Sequence, residues 1–244
     1  MTKEHIWPRW IIERANAGGD QFKWIGGSRA TPNKAVVPLC YDCNQRLGTE
    51  LEGPVSEAFR DVEAGHGLSG RQCALLVKWL WKFEGLFWCW EHPHGRYSDL
   101  WSVTERTTQD AAIESIADGL SLGIGLIHAN EREDVWPVGV DTPLGEQGVC
   151  VAGVFSRVAI AVSYSDLTGV FVGGLDFQPL SRDFIRSDEK SFFPATRFPT
   201  SGAAIDFMKT AGPIAADLHE RAMLSARTHR FIHPAPRRRV ELPH

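Results

Sequence analysis

Two short stretches decide how this chain folds: Thr2-Lys3-Glu4-His5-Ile6-Trp7-Pro8, and Val37-Pro38-Leu39-Cys40-Tyr41-Asp42-Cys43-Asn44, whose first cysteine falls 35 residues after the histidine. Glu4 and His5 put a hard oxygen donor beside a proton acceptor. Cys40 and Cys43 have the spacing that lets two thiolates hold one ion from a tight turn. The flanking sequence reads as a small α+β unit. Pro8 disfavours helix at Trp7, so residues 1–15 read as an extended start and then a short helix. Residues 16–34 carry Gly18-Gly19, Gly26-Gly27 and Pro32-Asn33, which marks a loop or irregular hairpin. Ala35 to Leu39 is a short β-rich run into the cysteine turn. From Asn44 to about Ala64, Leu47, Leu51, Val55, Phe59 and Val62 recur at spacings of three and four, so a helix is predicted, with Pro54 as a kink or break.

Beyond Gly65 the pattern changes. Ser69 is a candidate N-cap for a helix to about Trp90, apolar on most of its circumference through Leu75, Leu76, Trp79, Leu80, Phe83, Leu86 and Phe87, and therefore a central core helix. A further helix is predicted from Thr108 to Leu120. Gly148 to Tyr164 and Leu167 to Phe177 read as antiparallel strands, residues 181–201 as a loop, and Gly202 to about Arg227 as a last helix.

Composition limits the function classes. Hydrophobic residues make up 43% and charged residues 23% of the 244, so a packed core is available and global disorder is excluded. No apolar run reaches the roughly 18 residues that span a bilayer, and the N-terminus has no apolar signal segment; a cytoplasmic protein follows as the expectation. The net charge of −4 argues against coating nucleic acid through bulk charge. The basic residues are uneven, however, with Arg221, Arg227, Arg230 and Arg237-Arg238-Arg239 in the tail, which reads as a solvated tail more readily than as a phosphate contact. Five cysteines without a secretion signal do not make a disulfide framework. Cys73, Cys89 and Cys150 read as small buried apolar residues.

An acid directly before a histidine, followed by C-x-x-C-N and a helix containing Leu51-Glu52, resembles the HNH (His-Asn-His) nuclease family, closest to its endonuclease VII-like branch. The resemblance covers about the first 60 residues. It implies a ββα-metal module over residues 1–66 and metal-dependent hydrolysis of DNA phosphodiester bonds. Glu4 and Asn44 are then ligands of a catalytic Mg²⁺ or Mn²⁺, and His5 is the general base. The chemistry is coherent. Hard cations take carboxylate and amide oxygens, and a histidine ordinarily titrates at about pH 6.5, so a neutral imidazole can take a proton from water near pH 7. Glu52 reads as structural or as support for the ligands. Cys40 and Cys43 are implied zinc ligands that fix Asn44 at the start of its helix. A closed zinc site needs four ligands, and no second C-x-x-C precedes Glu4. Either the zinc is lost, or Cys73, Cys89, His66, His92 or His94 complete it, or the missing pair lies upstream.

Residues 67–244 then form a larger α+β region with a tryptophan-rich helix, a small antiparallel sheet and a C-terminal helix, which sets target choice or binds a protein partner or a second copy. Two alternatives stand beside the nuclease: an HNH-like module that binds DNA or protein without cutting, and a separate activity in residues 100–200. His92-Pro93-His94 and the charged stretch from Asp176 to Asp188 read as solvated loops. Gly123-Ile124-Gly125 and Gly173-Gly174 lack the strand-and-helix context of a phosphate loop. Cys150 has no partner base.

Overall fold

The computed structural model describes residues 1–14, 22–23, 29–91, 107–128, 138–140, 151–171, 173–211, 214 and 217–218. Trp24, Trp101, His92, His94, Cys150, most of the 16–34 loop and the basic tail lie outside the described residues.

The chain opens with strand β1 (Thr2–His5) and helix α1 (Arg9–Arg14), followed by the two-residue strands β2 (Phe22–Lys23) and β3 (Arg29–Ala30) and then β4 (Val36–Leu39). β1 and β4 pair antiparallel, Thr2 opposite Leu39 and His5 opposite Val36. Helix α2 (Tyr41–Arg46) leads through a π-helical turn, Leu47–Glu52, into α3 (Gly53–Glu63) without a break. Pro54 explains the turn. It has no N–H to give the preceding helix, and the helix widens just before it, the Gly53 N–H reaching back to the Gly48 carbonyl. The predicted helix therefore survives its proline.

β5 (Leu68–Ser69) runs into α4 (Gly70–Glu91). Ser69 caps α4 as its sequence predicts: its hydroxyl accepts from the Gln72 N–H at 3.2 Å, and the Gln72 side chain accepts from the Ser69 N–H at 2.9 Å. Gly70 is required here. A Cβ at this position would stand 1.6 Å from the Phe184 carbonyl oxygen. Gly70→Ala is therefore expected to push the 184–186 turn off the start of α4 and to destabilise the protein by at least about 1–3 kcal/mol; the chemical denaturation midpoint measures it.

The predicted helix over 108–120 is cut short. Residues 107–108 and α5 (Asp110–Glu114) are α-helical, and Leu120 already belongs to β6 (Leu120–Ile127). β6 is the strand that periodicity missed. Leu120, Leu122, Ile124 and Leu126 face the same core as α4, while Gly123 and Gly125 on the other face leave room for the Phe177 and Phe198 rings. A buried strand whose outer positions are glycine shows no polar alternation. β7 (Val138–Val140), β8 (Val151–Phe155), β9 (Val158–Tyr164) and β10 (Asp176–Pro179) complete an antiparallel path in the order β10–β6–β9–β8–β7. The predicted strand over 167–177 is instead a 3₁₀ turn as far as Phe171 (Ser165–Phe171), and strand begins only at Asp176, in β10. The expected loop over 181–201 contains β11 (Lys190–Phe192), paired with β5, and β12 (Arg197–Phe198), paired parallel to β6. The main sheet is thus mixed, not purely antiparallel. Residues 201–211 are helical, within the predicted last helix.

Both faces of this sheet are covered. One packs on α4 and the N-terminal elements through Leu122, Ile124, Phe155, Ile160 and Val162. The other packs on residues 201–211 through Ala152, Ala161, Leu175, Ala204 and Met208. Among the described residues no helix is long and apolar enough to cross a membrane.

Asp176 joins β10 and β12 along one edge of β6. Its carboxylate accepts from the N–H groups of Ala195 (2.6 Å) and Thr196 (2.7 Å) and from the Thr196 hydroxyl (2.8 Å). Burial works against the charge, but these hydrogen bonds outweigh it and hold the carboxyl below its ordinary 3.8. A depressed native pKa gives stability that is present above 3.8 and lost as pH falls through the native value. Acid denaturation of Asp176→Asn is expected to be flatter than that of the wild type below pH 4, read from unfolding midpoints across that range.

Candidate functional site

The pairing of β1 with β4 closes the 35-residue gap between His5 and Cys40. The ladder continues past His5, the Ile6 N–H donating to the Ala35 carbonyl at 3.0 Å. Leu39 then enters the cysteine turn. Cys40 is the N-cap of α2, its sulfur accepting from the Cys43 N–H at 2.9 Å. This places Asn44 in the first turns of α2, where its amide nitrogen donates to the Thr2 hydroxyl at 3.0 Å and to the Lys3 carbonyl at 3.4 Å. The structure so brings the two motifs together: strand, strand and helix, with the helix tied back onto the first strand.

Glu4 and Thr2 share one face of β1. The Glu4 side chain is only 14% exposed and meets the ammonium of Lys82, itself 1% exposed, on α4. The same ammonium meets Glu52, 12% exposed, at the end of the π turn. Glu52 uses its other oxygen to accept from the Trp10 indole N–H at 2.7 Å. Burial alone would pull the Lys82 ammonium down, but Glu52 and Glu4 outweigh it, and the net direction is up. Lys82 is therefore a charged residue deep in a hydrophobic core, neutralised by two carboxylates.

These carboxylates border a cleft of about 380 Å³ whose walls include Glu4, His5, Trp10, Glu52 and the exposed Arg9–Glu13 pair. His5 and Glu4 thus open onto the same space. Asn44 does not line it; the amide sits at the other end of β1. Both implied ion ligands keep an oxygen free of protein hydrogen bonds among the described residues, Oε2 of Glu4 and Oδ1 of Asn44. The two do not converge on one ion, since Glu4 borders the cleft and meets Lys82 while Asn44 is tied to Thr2 and Lys3. Among the described residues no three His, Cys, Asp or Glu side chains converge as they would to hold a metal ion.

Zinc at the cysteines fits less well. Cys40 and Cys43 are joined as a disulfide. Of the sequence candidates to complete a site, Cys73, Cys89 and His66 are among the described residues. Cys73 is fully buried, its thiol pushed up to about 12 by loss of solvent. Cys89 is half-buried with its thiol also raised, first by burial and then by Glu84. His66 faces Asp61 at 3.5 Å. The orientation of Asn44 is held by the cap and by its own hydrogen bonds, and needs no zinc. Sequence reading singled out Glu4, His5 and Asn44 and passed over Lys82; the available signal was a pair of lysines, Lys78 and Lys82, at helical spacing in an otherwise apolar helix.

Comparison with known proteins adds no family to this geometry: no protein family, curated protein or solved structure matches the chain.

Proposed function

We propose that the chain is a metal-dependent endonuclease of the HNH type that hydrolyses DNA phosphodiester bonds at the cleft beside His5. The observation that carries this reading is the β1–β4–α2 arrangement, which sets Glu4-His5 on one strand and returns Asn44 to that same strand from the following helix. Glu4, on the cleft with His5, would hold the divalent ion, which would supply a Lewis acid to offset charge developing on the phosphate, while Asn44 would brace β1 from the other end of the strand. His5, neutral, takes a proton from a water molecule; the water oxygen bonds to phosphorus, the bond to the leaving sugar oxygen breaks, and that oxygen is protonated by solvent. The acidic cleft would repel the phosphate by itself, which is why the ion belongs to the proposal. The main sheet and the elements around it support target choice, or contact with a protein partner or second copy. Zinc at Cys40 and Cys43 stays outside the proposal, for want of two further ligands.

A second reading has one observation in its favour. Lys82 already neutralises Glu4, as expected of a module that keeps the fold and binds DNA or protein without cutting it. Incubation of supercoiled plasmid with the purified protein in Mg²⁺ or Mn²⁺, beside a gel-shift assay, separates the two. Nicking supports the enzyme. A shifted band without nicking supports the binding module.

A further inference from the structure

We propose that the Cys40–Cys43 disulfide is a thiol–disulfide exchange site, which takes an electron pair from a low-molecular-weight thiol attacking Cys40. The proposal is independent of the nuclease reading.

The bridge does little for the fold. Its cysteines are only three residues apart, and the chain entropy that a bridge removes from the unfolded state grows with the loop it closes. The turn is also held on both sides without it. Before the turn, Val36–Leu39 is paired with β1. After it, the Asn44 side chain is tied to Thr2 and Lys3, and Leu47 and Leu51 are buried in the core. The bridge can therefore open and close while its surroundings stay folded. It is also accessible: Pro38, Cys40, Tyr41 and Asp42 are all exposed. Exposed bridges are the ones that exchange with thiols, whereas covered ones resist them.

Two other cysteines differ from this pair. Cys73 is fully buried, and loss of solvent pushes its thiol up to about 12. The Cys89 thiol is raised too, first by burial and then by Glu84. The thiolate is the reactive form, so both are poor nucleophiles. At the turn, the C-x-x-C spacing favours the thiolate. The Cys43 N–H donates to the Cys40 sulfur at 2.9 Å, a hydrogen bond that strengthens when that sulfur carries charge.

Exposure assigns the roles. Cys40 is exposed and Cys43 partly buried, so an incoming thiolate meets Cys40 first. The incoming sulfur bonds to Cys40 Sγ, the Sγ–Sγ bond breaks, and Cys43 leaves with the electron pair and takes a proton. A second thiolate then attacks the incoming sulfur and expels Cys40 as a thiolate, held by the Cys43 N–H until it is protonated. Two small thiols become one disulfide, and the protein gains two electrons and two protons. In reverse, Cys40 attacks a small disulfide and Cys43 resolves the mixed species.

The test incubates the full chain, with EDTA and without denaturant, in buffers of varied reduced to oxidised glutathione. Free thiols are then trapped with iodoacetamide and assigned by peptide mass mapping. Cys40 and Cys43 are expected to open and close reversibly together, with the circular dichroism spectrum unchanged. Oxidised glutathione should form a mixed disulfide on Cys40 of Cys43→Ser at least about tenfold faster than on Cys43 of Cys40→Ser. Should a variant fail to fold, brief alkylation of the reduced wild type replaces that comparison, and Cys40 should be labelled first. A bridge that glutathione opens only when the chain unfolds overturns the proposal. So do cysteines that stay reduced in oxidised glutathione, or equal reaction at the two positions. Plasmid nicking plays no part in this test, so failure of the nuclease reading leaves it standing.

Discussion

Trp79→Ala is expected to lower stability by about 3–5 kcal/mol, the range for truncating a large buried aromatic. Trp79 is 1% exposed and is the point where three parts of the chain meet. Its ring lies 6.1 Å from Trp10 of α1, 5.4 Å from Phe59 of α3 and 4.8 Å from Phe155 of the main sheet, the last two edge-on. Edge-on aromatic pairs add to the hydrophobic term, and a cavity at such a junction cannot collapse from one side without pulling on the others. The loss should therefore be cooperative, with fluorescence and circular dichroism melting together. Trp10 also donates to Glu52, so the same substitution loosens the support of the cleft. Phe177→Ala, on the opposite face of the sheet at a partly exposed position, should cost clearly less; equal losses would contradict the junction role of Trp79.

His5→Ala is expected to reduce DNA cleavage by about 10²–10⁴-fold, the usual contribution of a positioned general base, with the fold intact. The fold should survive because His5 is only partly buried, and the neighbouring anchors of β1, Ile6 and Trp7, are unchanged. The backbone pairing to Val36 does not depend on the side chain. His5→Ala should still bind DNA, so the loss falls on turnover and not on affinity. Glu4→Gln should differ from it in both respects. It removes one of the two carboxylates that neutralise a fully buried ammonium, and so should cost stability as well as activity.

The helices were the legible part of this fold. α4 declares itself through its apolar spacing and its Ser69–Gln72 box, and the 41–63 helical stretch through leucines and valines at helical intervals. Local signals suffice for such elements, because the pattern and the cap lie within the same 20 residues. The sheet was less legible. β6 carries glycines where a half-exposed strand would carry polar residues, since its outer face is covered by Phe177, Phe198 and the backbone of Gly174. β11 and β12 are two or three residues long and exist because distant partners, β5 and β6, recruit them; no window of their own sequence could announce that.

The site divides along the same line. Glu4, His5 and Asn44 stood out in the sequence by their order along the chain; the fold sets Glu4 and His5 on one cleft and ties Asn44 to Thr2 and Lys3 at the other end of β1. Lys82 did not stand out, since its partners lie 78 and 30 residues away and its neighbours along the helix are tryptophan, phenylalanine and leucine. For the two cysteines the sequence left open a lost zinc or one completed by distant ligands. Here they form a disulfide, with Cys40 capping α2 through its sulfur.

The central claim is that His5 activates water for metal-dependent phosphodiester cleavage. The most direct measurement is the nicking rate of supercoiled plasmid by purified wild type in Mn²⁺, run beside His5→Ala and beside wild type in EDTA. The account predicts nicking by the wild type alone, with both controls silent and the variant folded by circular dichroism. No nicking by the wild type, or nicking that persists at the same rate in His5→Ala, would contradict it.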